Sequence, residues 1–576
     1  MALQIQRKGE LVPASITSRF PEKSGSYETN PTSPLFSWEQ FPEELRRTFA
    51  IAPAGQSEKF EAASCTLAPM STRPQLLALA PALLVVILSW HAPQGLYMDP
   101  AWQLNALRQY LAGQSPTFNT LVQADPSDLS QDRWQWISHW PPLMGLMVWG
   151  LSKAGASMVL AVRILAAAGL LVGSLGWARW MERFALPSWF IGMAAASIPL
   201  FRYANNPIFS YSTEGLAFAL GPWMLLAAER LARRWSVGLA VATGLLLGGA
   251  YWAKYSLIFV SLGAVAFLIW RVRWKSLWAA VPCFVLIGAL NLLNRIMGDA
   301  ASLVTEIPFG VALDARALLA PFAFLPLAMA DLGTMLYYLS LDRGYRLAYA
   351  DTLICLLGVP GAVLLIWLLR PSRNEEWLAT FVAAASMISL AGLWLTGRTV
   401  SYEARHLEVA AIGLIPFAAA AAYRMWPSLS RTLRVALTTA AAGYLVIPVL
   451  CGIGSAIVKW NRPPLVLLQP VPRVDVLCVS DPVMALSLEG RKIITWGDFP
   501  PEARLGSRTY RASIPMRVGV VMPAQFEREG KGNIIRNAFP QARGWQAPVQ
   551  ITRTHQIWVA DLVPDNAARS AADSHP

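Results

Sequence analysis

Residues 236–270 read SVGLAVATGLLLGGAYWAKYSLIFVSLGAVAFLIW, two apolar runs parted by a joint whose one charge is Lys254. An α-helix rises about 1.5 Å per residue, so about twenty apolar residues cross a bilayer core about 30 Å thick. Two runs joined by so short a break predict a pair of antiparallel membrane helices, 236–252 and 255–270. The alternation of apolar run and polar joint continues on both sides. Spans are expected near 75–91, 157–178, 186–203, 212–229, 276–295, 350–369, 377–396, 407–423 and 435–458, about eleven helices in all. Composition agrees. Of 576 residues, 55% are hydrophobic and 14% charged, against about 25% charged in an ordinary soluble chain. With a mean hydropathy of +0.40, the chain argues against a soluble enzyme. The expected fold class is an α-helical polytopic membrane protein.

Residues 1–69 are polar, rich in Ser, Pro, Glu and Thr, and lack the apolar core of a signal peptide. Met70 opens a short leader directly before the first apolar run. Met70 is therefore the expected start, with 1–69 disordered or never made; the intact mass of protein expressed from its native promoter checks this. The transmembrane domain is expected over 70–458, with two long outward loops at 92–156 and 296–349. The first loop holds Trp102, Trp134, Trp136 and Trp140, and its end, 141–149, is apolar but short, which suits a helix lying in the interface.

The tail 459–576 has a different composition. Segments 474–479, 492–496, 518–522 and 557–560 read as short strands, and 482–489 and 524–538 as helices, giving a small extracytoplasmic α/β domain. It carries no phosphate-cradling Gly motif, so it reads as an accessory or acceptor-contacting domain. Five cysteines, at 65, 283, 355, 451 and 478, are odd in number and lack metal-ligand spacing. Neither a disulfide framework nor a zinc site is expected.

Lys plus Arg number 48 against 35 Asp plus Glu, a net charge of +13. Cytoplasmic joints of membrane proteins retain Lys and Arg because these translocate poorly. With a cytoplasmic N-terminus, the inner joints hold Arg179 and Arg183, then Arg230, Arg233 and Arg234, then Arg271, Arg273 and Lys275, then Arg370 and Arg373, and finally Arg424, Arg431 and Arg434. The outer joints carry Asp99, Asp125, Asp128, Asp132, Glu214, Asp299, Glu306, Asp314, Asp342 and Asp351. The basic excess is therefore largely a topology signal, and nucleic-acid binding is not expected.

Four outward elements carry chemistry. Asp99, just beyond the first span, can accept a proton from an attacking hydroxyl, or simply cap the next helix, since Asp followed by Pro suits the N-cap and first helical positions. Glu214 opens an apolar span, where a carboxylate is costly in lipid and should face water or a site; the helix dipole alone also favours it there. Lys254 has no acidic neighbour in sequence, so it either snorkels to the interface or meets a phosphate as a point charge. The fourth is the cluster Arg398, Glu403, Arg405 and His406 before the tenth span. Its Arg forks match phosphate oxygens, and the bland alternative is a solvated Arg405–Glu403 pair. All four elements fall on one expected face of the membrane, as a reaction on a lipid-linked phosphate requires.

On these residues the chain resembles the GT-C class of membrane glycosyltransferases, which includes protein O-mannosyltransferases and the bacterial enzymes that add aminoarabinose to lipid A. The matching pieces run from Asp99 through 110–116, 139–143, 161–165, 212–214, 253–255 and 403–407, over about 70–460. The resemblance implies transfer of a sugar from a polyprenyl phosphate, with inversion, to a lipid, glycan or protein acceptor on the extracytoplasmic face. It implies Asp99 as base or acceptor-positioning carboxylate and Glu214 as the second acidic position. It implies Lys254 and Arg405, with Arg398 and His406, at the donor phosphate. Trp102, His139 and Trp140 are the expected sugar and acceptor contacts. Where the family commonly has Asp-Glu at the first acidic site, this chain has Asp99-Pro100, which weakens the case for a paired-carboxylate or metal-dependent centre. No cofactor is required, and a divalent ion remains an option. The competing reading is a transporter or flippase for a lipid-linked or anionic substrate. Transporters often carry an internal repeat relating two halves, and this sequence shows none.

Overall fold

The computed structural model describes residues 73–92, 95–96, 98–298, 325–326, 328–329, 359–363, 365–366, 369–395, 406–461, 466–479, 481–488, 492–495 and 508–564. The segment 1–69 with Met70, most of the 296–349 loop, much of the expected 350–369 span, and Arg398, Glu403 and Arg405 lie outside the described residues.

Most helices form where the apolar runs lie. The helices are α1 (Arg73–His91), α2 (Met98–Leu111), α3 (Leu143–Lys153), α4 (Met158–Met181), α5 (Ser188–Ser197), α6 (Arg202–Phe209), α7 (Glu214–Arg233), α8 (Val237–Ala253), α9 (Leu257–Val272), α10 (Leu277–Met297), α11 (Asn374–Leu395), α12 (Glu408–Met425) and α13 (Arg431–Trp460). Of these, α2 and α6 are polar-rich helices outside those runs or at the end of one. Among the described residues, five stretches are long and apolar enough to cross a membrane: Pro74–His91, Met158–Met181, Leu257–Met297, Asn374–Leu393 and Glu408–Ser428. The third contains both α9 and α10. Ser157, Ser236 and Ser430 cap α4, α8 and α13 by accepting the N–H of the residue three positions on.

One expected span is broken. The 186–203 run ends as a helix at Ser197, passes through a 3-10 turn at Ile198–Leu200 and restarts as α6. Pro199 has no N–H to continue the ladder and disfavours helical backbone before it.

The bundle is close-packed around fully buried Trp177, Trp180, Phe218, Phe267 and Phe417. Trp180 Nε1 donates across the core to Gly413 O at 3.1 Å. Gly244 and Gly248 let α8 approach α10 so closely that a Cβ at either would collide with the backbone at Ala279 or Cys283.

At one end of the bundle the C-termini of α7 and α12 meet the N-terminus of α11. Arg233 pairs with Glu229 and with Glu375, the latter at 2.9 Å, Arg183 lies 4.0 Å from Glu229, and Arg424 pairs with Glu376. Glu229, Glu375 and Glu376 are buried. Arg183, Arg233 and Arg424, read from sequence only as topology markers, thus also compensate carboxylates that apolar surroundings would otherwise penalise. Glu376→Ala is expected to lower stability by about 2 kcal/mol, because Arg424 is partly exposed and recovers some solvation. A thermal melt in detergent checks it; a loss below about 0.5 kcal/mol would show the pair to be ornamental.

The C-terminal domain is a mixed sheet of β5 (Val476–Val479), β6 (Lys492–Thr495), β7 (Met516–Pro523), β8 (Ala542–Arg543), β9 (Val549–Gln550) and β10 (His555–Leu562). Its order is β6-β5-β7-β10-β8, with β9 also on β10. β5 runs parallel to both β6 and β7, while β10 is antiparallel to β7. Two helices, α14 (Pro482–Ser487) and α16 (Gly532–Ala538), flank the short α15 (Gln525–Arg528) in sequence. The four expected strands are present, with β8 and β9 as additions too short to show a period of two.

The domain core is not confined to the tail. In the first loop, β2 (Thr120–Ala124) and β3 (Asp132–Trp136) form an antiparallel hairpin, and its fully buried Ala124 and Leu129 complete the apolar cluster around Tyr510, Phe526 and Trp558. The loop is thus structured over most of its length, and its apolar end forms α3 as expected.

Candidate active site

The site is assembled by two very short strands. β1 (Gly95–Leu96) pairs in parallel with β4 (Ser210–Tyr211), Gly95 opposite Ser210 and Leu96 opposite Tyr211. Only glycine fits at 95, since a Cβ there would lie 2.7 Å from Ser210 Oγ and 2.8 Å from Phe209 O. Each strand runs directly into a helix, and Asp99 and Glu214 lie the same number of residues beyond their paired positions. Both acidic residues therefore open helices on adjacent backbone segments, where unpaired N–H groups and the helix dipole favour negative charge. The helix at Asp99 starts at Met98, so Asp99 is its second residue and not the N-cap expected from sequence.

Glu214 reaches across to the joint between α8 and α9. Lys254 Nζ donates to Glu214 Oε1 at 3.0 Å, and Lys254 is only 6% exposed. Lys254 sits at the C-cap of α8 in extended backbone, with φ of −157°, which turns its side chain away from the helix path. The lysine with no acidic neighbour in sequence has one in space, and it does not snorkel. Buried at this depth, either charge alone would be far costlier than the pair.

A chain of hydrogen bonds fastens this joint to the first loop. Tyr255 Oη donates to Ser138 O at 2.7 Å and accepts from Asn294 Nδ2 at 2.9 Å, while Trp136 Nε1 donates to Asn294 Oδ1 at 3.0 Å. The next residues are the expected sugar contacts. Trp102 and Trp140 stack with centroids 6.3 Å apart, and His139 lies 5.7 Å from Trp140. Gln103 Nε2 donates to Pro141 O at 2.7 Å and so ties α2 to this aromatic group.

Burial lowers the His139 pKa below its ordinary value of 6.5. Its neutral form is favoured in the folded chain, so stability is full above about pH 6.5 and falls as the pH drops toward the depressed value. A melt-against-pH series is expected to show this loss, and His139→Gln to flatten it; an unchanged slope in the variant would assign the acid loss to other groups.

His406 and Glu408, at the start of α12, line a cleft together with Ala217 of α7, Ser256, Leu257 and Ser386. Ala217 follows Glu214 by one turn, and Ser256 follows Lys254, so the cleft adjoins the ion pair. Glu408 is 1% exposed and was not singled out from sequence. The signal was there, since Glu408 opens an apolar span in the same way as Glu214. It was masked by the denser run of charges just before it. The structure thus gathers the Asp99 helix start, Glu214, Lys254, His406 and the Trp102–His139–Trp140 group at one end of the bundle. That end is opposite the Arg233–Glu375 and Arg424–Glu376 pairs.

No family model and no curated relative matches the chain. Among solved structures, the chain is similar to the crystal structure of ArnT from Cupriavidus metallidurans bound to undecaprenyl phosphate. Identity is 14%, coverage is 86% of this chain and 99% of that one, and the TM-score is 0.42. It is also similar to ArnT from the same organism in the apo state, at 14% identity, 86% and 98% coverage and a TM-score of 0.42.

Proposed function

We propose that the chain is an integral membrane glycosyltransferase that moves a hexose or pentose from a polyprenyl-phosphate donor to an acceptor on the extracytoplasmic face. The observation that carries this reading is the parallel pairing of Gly95–Leu96 with Ser210–Tyr211. It brings the Asp99 and Glu214 helix starts together at the end of the bundle that holds Lys254 and His406.

The chemistry follows from the charges. Attack of the acceptor hydroxyl on the anomeric carbon expels polyprenyl phosphate, and negative charge develops on the leaving oxygens. Lys254 and His406, with Arg398 and Arg405, are the groups proposed to stabilise that charge from fixed positions in a dry site. Asp99 takes the acceptor proton as the new bond forms, from the face opposite the departing phosphate, so the configuration inverts. Glu214 holds Lys254 in place and keeps the resting site near neutral before the anionic donor arrives. Trp140 and His139 supply flat surface for sugar rings, and Trp102, 5% exposed, backs Trp140 from the core. The N-terminus is placed in the cytoplasm and the C-terminal domain outside, in a multi-pass cell-membrane protein.

The test is incubation of purified protein with a panel of polyprenyl-phosphate sugars. Release of polyprenyl phosphate is the expected result. Movement of substrate across proteoliposomes without release would replace this reading by a transporter or flippase.

A further inference from the structure

We infer that the C-terminal domain is a clamp on α2, in which Asn105 and Arg108 are positioning residues that fix the helix carrying Asp99. This inference rests on the transferase reading only for the consequence at Asp99; the clamp itself is a matter of contacts.

β5 lies between β6 and β7 and is parallel to both. The chain leaves its carboxyl end into α14, and the crevice outside the carboxyl ends of such strands is where open α/β sheets seat ligands. Here the helix that leaves this point, α14, is engaged by the chain's own α2. Asn105 Nδ2 donates to Pro482 O at 3.0 Å, on the first residue of α14, and to Ala101 O at 2.9 Å. Arg108 Nη1 donates to Leu486 O at 2.8 Å near the other end of α14, and Arg108 Nη2 donates to Asn105 Oδ1 at 3.3 Å. Asn105 is 2% exposed, so its amide is satisfied by its neighbours rather than by bulk water.

Apolar packing alone resists separation but tolerates sliding. Two directional bonds to opposite ends of α14 set the translation of α2 along its axis, and with it the position of its first turn. A second set of bonds secures the hairpin. Leu129 N donates to Arg511 O at 2.8 Å, Ser513 N donates to Asp128 Oδ1 at 3.0 Å, and Lys492 Nζ reaches Ser130 O at 3.0 Å and Asp132 at 2.8 Å. A tail distant in sequence thus grips the first loop at two places. A misplacement of about 1 Å in a reacting group can cost about a hundredfold in rate, which is the scale of effect such a grip controls.

The experiment uses full-length protein in nanodiscs, reading amide hydrogen exchange across 98–111 together with donor turnover. Arg108→Ala is expected to speed α2 exchange about tenfold and lower kcat about tenfold, with donor KM changed less than about twofold. Arg108→Lys, which keeps a donor, is expected to restore most of both. Lys492→Met cuts the hairpin grip but spares α14, and is expected to leave α2 exchange near wild type. The clamp is overturned if α2 exchange does not respond to Arg108→Ala, if Lys492→Met accelerates it equally, or if KM rises in place of a fall in kcat. If wild-type protein releases polyprenyl phosphate from no donor, the transferase reading falls, and the exchange data alone decide the clamp.

Discussion

Asp99→Asn is expected to leave the fold intact and to lower sugar transfer by about a thousandfold. Asn is nearly isosteric with Asp, so the helix should form as before. What it loses is the basicity to take a proton, and a positioned general base contributes about 10²–10⁴ in rate. The measurement is release of polyprenyl phosphate under saturating donor and acceptor, with melting behaviour as the control. If only an acceptor-positioning role is lost, the acceptor KM rises and kcat falls little. Undiminished turnover would remove Asp99 from the mechanism.

The second large effect is at the ion pair. Lys254→Met leaves Glu214 without its ammonium partner in a buried setting, so stability is expected to fall by about 3–5 kcal/mol as well as donor affinity by about tenfold or more. These two losses have different origins and can be parted. The double substitution Glu214→Gln with Lys254→Met removes both charges, and it should recover most of the stability while donor binding stays weak. Recovery of donor binding in the double variant would show that Lys254 serves only to neutralise Glu214. A single variant that melts like wild type would contradict the buried pair itself.

Much of the site was legible in the sequence because intramembrane charges are few. In an apolar chain every carboxylate or ammonium at a span end stands out, and Asp99, Glu214, Lys254 and His406 were recognisable on that ground. Glu408 obeyed the same rule but stood among other charges. Tyr255, which fastens the site, stood out only as the neighbour of Lys254, and Asn294 and Gln103 carry no such signal. Asn and Gln are unremarkable in a loop or helix end until their partners are known. Arg183, Arg233 and Arg424 were legible as a topology pattern, yet the carboxylates they compensate were not.

The sequence by itself determined most of the long apolar helices and the four longer strands of the tail, since run length, alternation and the capping serines act within a few residues of where they stand. It also determined which charges were unusual. Tertiary structure alone decided what surrounds those charges: Lys254 meets Glu214, the β1–β4 pairing sets the start of α2 beside the start of α7, and Leu129 of the first loop completes a core otherwise built from the tail. These contacts join residues tens to hundreds of positions apart. Their energy comes from excluding solvent around specific partners, and no local spacing encodes which partner that will be.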